Sequence, residues 1–182
     1  MVRLIFAGSV RHVDVDIDDL RSLYLSELQE LCDCEAQMIG ILPNIAISTG
    51  SAELRKAIRQ QLEVAVLHQQ QLAAILQRNR VSLTSGTDQV MLALVKRAER
   101  IVDKLPDRDL RDAALVAVLR RIGHNQIAAY HAVEGYAKAL YLEFDRHILL
   151  ACLREEELAD SLFAAFQIEA NEIALLLSVS FF

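Results

Sequence analysis

The sequence predicts an all-α fold: a four-helix bundle in which a long crossover, carrying a short extra helix, joins the second long helix to the third. Three observations predict it. Apolar residues recur every three or four positions over four long stretches. Chain breakers are scarce, with six Gly and two Pro in 182 residues, so those stretches run on as helices. Carboxylates also interrupt or border the apolar stripes, and bundles place acids inward to hold metal ions.

Residues 1–16 read as an arm in which Val2, Leu4 and Phe6 alternate as a short strand would. Asp14, Asp16 and Asp18 resemble the start of a calcium loop, but Asp19 stands where that loop needs glycine and Leu25 where it needs glutamate. Asp18 therefore reads as a helix N-cap. The first helix runs from there to about Leu42, with Leu20, Leu23, Tyr24, Leu28, Leu31, Met38 and Leu42 on one face and Pro43 and Gly50 near its end.

Ser51 caps a second helix to about Arg78, burying Leu54, Ile58, Leu62, Ala65, Leu72 and Leu76, and the two form an antiparallel hairpin. Residues 79–107 carry turn signals at Ser82 to Thr87 and at Leu105-Pro106, around a short amphipathic segment with Val90, Leu94, Ile101 and Val102. Asp107 to Asp109 open a helix reaching about Leu142, and the last helix spans about Asp145 to Leu177. The chain divides into an arm (1–17), a bundle (18–178) and an apolar tail (179–182).

Composition narrows the function. With 53% hydrophobic and 24% charged residues, the chain can bury a sizeable core. A net charge of −6 argues against a nucleic-acid surface, which needs clustered Lys and Arg, and Arg120-Arg121 reads as a solvated face. The apolar run from Ile173 to Phe182 is about half of what a membrane span needs, so it is expected to serve self-association, as in a homodimer. Three cysteines, Cys32, Cys34 and Cys152, give no CxxC pair and no disulfide framework, which fits a reducing cytoplasm.

The acids supply the candidate chemistry. Glu35 follows Leu31 by four and precedes Met38 by three, so it shares their face, pointing inward or snorkelling from its edge. Glu63 follows Leu62, and its i+3 companion is Val66, where a Glu-x-x-His site would want histidine. Glu156 and Asp160 lie in one stripe with Cys152 and Phe163. The fourth long stripe reads Val116, Leu119, Gly123, Gln126, Tyr130, Glu134 and Ala137, with glycine and glutamine at its middle and Glu134 toward the rim. His68, between Ala65 and Leu72, reads either as a core or interface histidine or as a displaced ligand. His124 lies one position off its stripe, and His131 and His147 read as surface or helix-end residues.

The stretches Arg111 to Ala117 and Gly123 to Tyr130, with Asp33 to Met38, Leu62-Glu63 and Leu153 to Glu156 plus Asp160, resemble the YciE/YciF family of stress-associated, ferritin-like proteins. The resemblance covers about Leu20 to Ala170. It implies a ferritin-like four-helix bundle, self-association, and a two-metal carboxylate centre whose acidic positions are matched by Glu35, Glu63, Glu156 and Asp160. Val66, Gly123 and Gln126 depart from that pattern.

Two functions follow. In the first, the chain is a stress-associated, non-catalytic bundle with a degraded di-metal site, its remaining acids neutralised by pairing or protonation. In the second, Glu35, Glu63, Glu156 and Asp160, with Gln126, His124 or His68 added, hold iron, manganese or zinc for oxidation or storage.

Overall fold

A computed structural model describes residues 17–83 and 87–179, with side chains described through Leu176. The strand-like alternation expected at Val2 to Phe6 and the last residues of the apolar tail lie outside them. Among the described residues five helices follow one another: α1 (Leu20–Ser48), α2 (Ala52–Arg78), α3 (Gln89–Lys104), α4 (Arg108–Ala139) and α5 (Glu143–Val179).

The caps are set by local chemistry. Asp19, not Asp18, caps α1: its carboxylate accepts the Ser22 N–H at 2.6 Å, and the Ser22 hydroxyl accepts the Asp19 N–H in return. Ser51, Asp88 and Asp107 cap α2, α3 and α4 through the N–H groups of Leu54, Met91 and Leu110.

The first helix runs on past Leu42, through Pro43, to Ser48. Pro43 lacks the N–H that would reach back to Ile39, but Ile45 and Ala46 are buried one turn later, and their burial outweighs that loss. The chain leaves both α2 and α4 without glycine. Arg80 and Tyr141 take left-handed φ of 59° and 57°, while Val81 and Leu142 donate N–H groups back to Leu76 and Ala137. The α4–α5 connection is therefore three residues long, and α5 starts at Glu143, two residues before Asp145.

α1 and α2 form one hairpin, α4 and α5 the other, and α3 packs on α1 and α4. Asp112, near the start of α4, accepts the N–H groups of Gly50 and Ser51, while Tyr24, at the start of α1, donates to Asp145 at the start of α5. Thus α1 runs antiparallel to α4 and parallel to α5, and α2 and α4 run the same way. That requires a crossover along the bundle's length, which α3 provides. A core built from Leu28, Leu31, Leu42, Ile58, Leu72, Val116, Ile122 and Leu149 fills the space between the four long helices.

Among the described residues no helix is long and apolar enough to cross a membrane. The three cysteines are free and buried.

Candidate metal centre

At mid-height the core changes from apolar to polar. Glu35 (α1), His68 (α2), Gln126 and Tyr130 (α4) and Glu156 (α5) all point inward and are at most 1% exposed. One ligand atom from each of Glu35, His68 and Glu156 lies within 4.8 Å of the others. His68 Nδ1 sits 3.4 Å from Glu35 Oε1 and 3.3 Å from Glu156 Oε1, yet makes no aligned hydrogen bond to either.

Each of these three is held from behind. The Tyr130 hydroxyl donates to Glu35 Oε1 at 2.8 Å, and its ring meets the His68 ring edge-on at 5.7 Å. Gln61 donates its amide N–H to both Glu156 oxygens, at 3.0 and 3.2 Å. His68 Nε2 bonds Glu155 Oε2 at 2.8 Å. The Cys152 thiol, one turn before Glu156, donates to Gln71.

Burial and charge act together here. Desolvation pushes the Glu35 carboxyl above its ordinary range against the pull of His68, and Glu156 adds to the rise. The Tyr130 phenol is raised well above 10, by burial first and by the Glu35 charge next. Burial works against protonating His68, but the polar groups of Cys152, Glu156 and Glu35 close around its ring outweigh it and hold the imidazole well above its usual 6.5. A proton on Nδ1 or a metal ion at the centre would offset the charge of the two carboxylates.

The remaining candidates from the sequence lie elsewhere. Glu63 and Val66 are not among the inward residues of α2; Glu63 is exposed, and the buried positions are Gln61, Ala65 and His68. The inward pair of α2 is thus two residues later than Glu63/Val66 suggested, and reads Ala65-x-x-His68. Alanine in place of the acid removed the signal that would have marked it. Asp160 accepts from Arg120 at 3.0 and 3.3 Å, with the exposed His124 3.6 Å away, and so forms a partly buried pair beside the cluster. His131 and His147 are exposed, and Glu134 pairs with Arg146 at the rim.

The donor set can be tested against one metal and against two. Bundle di-metal sites take one Glu from each of two helices and a Glu-x-x-His pair from each of the others. Here Glu35 and His68 supply one half and Glu156 the shared acid. Ala65 takes the second shared position, while Gln126 and Ala159 take those of the opposite half. The set fits one ion: separations of 3.3 and 3.4 Å match ligands about 2.0–2.2 Å from a common centre. It does not fit two, because the opposite half has no anion and no imidazole. The cleft there, lined by Gly123, Gln126, Ala159 and Glu156, has about 10 Å³ of free space, enough for one water. Both amide atoms of Gln126 lack protein partners.

Residues 19–174 match the family described as domain of unknown function DUF892. The chain belongs to that family. Protein YciF of Escherichia coli K12 is 20% identical over 147 residues, which are 80% of this chain and 89% of that protein. The crystal structure of the E. coli stress protein YciF superposes with a TM-score of 0.81 at 20% identity, over 86% of this chain and 99% of that one. YcfI from Rhodopseudomonas palustris gives 0.78 at 22% identity, over 82% and 95%. This DUF892 member thus has the all-α bundle of YciF, as its sequence resemblance implied.

Proposed function

We propose that this chain is a stress-associated, ferritin-like bundle that binds a single divalent metal ion, iron or manganese, through Glu35, His68 and Glu156. The observation that carries the reading is the convergence of His68 Nδ1 and two buried carboxylate oxygens without a hydrogen bond in line. Two carboxylates and one imidazole, with no cysteine among the converging ligands, suit iron or manganese. Bound iron would supply one-electron chemistry. The chain's own residues hold the ligands: Tyr130 fixes Glu35, Gln61 fixes Glu156, and the bundle keeps water out. The stress role comes from likeness to YciF, and the chain is read as cytoplasmic.

The raised His68 pKa favours a second reading, in which a proton fills the centre and the imidazolium is a purely structural tie in a non-catalytic bundle. Elemental analysis decides between them. Purified protein is exposed anaerobically to iron(II) and manganese(II), then desalted. One equivalent retained, and lost in Glu156→Ala, supports the metal reading; no retained metal supports the structural tie.

Self-association is also proposed. Phe144, Leu158 and Leu162 project from one side of α5 at 67%, 70% and 46% exposure, an apolar stripe that a second copy could cover.

A further inference from the structure

Glu155 is adjacent in sequence to the ligand Glu156, yet it is 54% exposed and adds nothing to the core. The one hydrogen bond described for it goes to His68 Nε2, at 2.8 Å. Adjacent residues on α5 therefore grip opposite nitrogens of one imidazole: Glu155 faces Nε2 and Glu156 faces Nδ1, at 3.3 Å. An imidazole can present a lone pair on one nitrogen only when the proton is held on the other, and a carboxylate is an effective holder.

We propose, resting on the metal reading above, that Glu155 is a positioning residue: it fixes the proton on Nε2 so that Nδ1 turns its lone pair toward Glu35 and Glu156. Three features support the assignment. His68 is fully buried, so no solvent competes for Nε2. Without Glu155 the described contacts leave that N–H with no acceptor. The ring would then be free to move its proton to Nδ1 and bind nothing at the centre. Tyr130 and Gln61 hold the two carboxylates, so Glu155 completes a set in which every ligand has its own support.

The test is calorimetric titration of the full chain with manganese(II), comparing wild type, Glu155→Gln and Glu155→Ala. Glutamine keeps an oxygen for the Nε2–H; alanine does not. Glu155→Ala should bind about 10–100-fold more weakly, and Glu155→Gln should recover most of the loss. The ¹⁵N spectrum of histidine-labelled, zinc-loaded wild type should show His68 coordinated through Nδ1 with its proton on Nε2, a pattern absent from Glu155→Ala. Wild-type affinity in Glu155→Ala, or an equal loss in Glu155→Gln, overturns the positioning role and leaves the metal reading standing. A wild-type chain that binds neither ion overturns both.

Discussion

His68 Nδ1 lies 3.3 Å from Glu156 Oε1 without an aligned hydrogen bond, so the two atoms face a shared point rather than each other. Ala65, Gln126 and Ala159 deny that point a neighbour of the same kind. Calorimetric titration with manganese(II) should therefore saturate at one equivalent per chain. Two equivalents would mean that Gln126 or Asp160 is recruited and that the single-ion assignment is wrong. Saturation at 100 times Kd should stabilise the fold by about 2.7 kcal/mol, read as a metal-dependent rise in Tm.

pH should act on the metal-free protein through His68. Its folded pKa lies above the ordinary 6.5, so the native state holds this proton where the unfolded chain releases it. The stabilisation is complete below pH 6.5 and declines as pH rises, by up to about 1.4 kcal/mol per unit. Glu35, also raised, contributes in the same direction, its part being lost above the ordinary carboxylate range. Urea unfolding between pH 6 and 9 should show this slope in wild type and a much flatter one in His68→Gln. Metal affinity should move the opposite way, rising with pH as the ion displaces the proton.

Removing the Tyr130 hydroxyl isolates its bond to Glu35. Tyr130→Phe leaves a buried carboxylate oxygen without its donor, in a molecule where the other oxygen, Oε2, already has none. Stability of the metal-free protein should fall by about 1.5–3 kcal/mol in urea titration. Unchanged stability would show that Glu35 is protonated and needs no donor.

Tyr141 is 86% exposed and held at φ 57°. Left-handed backbone costs a non-glycine residue about 1–2 kcal/mol, and this side chain has no burial to lose. Tyr141→Gly should raise stability by about 0.5–1 kcal/mol after the added entropy of the unfolded chain. A lower Tm would indicate that the ring makes a contact, such as one with a second copy.

The α5 stripe is tested by light scattering after chromatography. Leu158→Glu with Leu162→Glu should turn a dimer into a monomer and leave the helical circular dichroism intact. A wild-type monomer would remove the case for self-association.

The periodicity of Leu, Ile and Ala, the scarcity of breakers and the capping residue Ser51 were enough to read five helices and the crossover, because each is written in local spacing, while the resemblance to the YciE/YciF family rested on particular stretches such as Gly123 to Tyr130. Glu35 and Glu156 were legible too, as charges inside oily stripes. Local spacing could not say that Pro43 is spanned, because the burial of Ile45 and Ala46 beyond it is a tertiary gain. Nor could it show that Arg80 and Tyr141 end helices without glycine. Spacing suggested Glu63 and Asp160 because both are acids near the right stripe. A helix face turns by about 100° per residue, and only packing against α1 and α5 decided that His68 points inward while Glu63 points to water. The sequence by itself determined which elements form and which acids are out of place. The tertiary structure alone decided which atoms converge, since that depends on the rotation of four helices about their axes, a quantity fixed by side chains far apart in the chain.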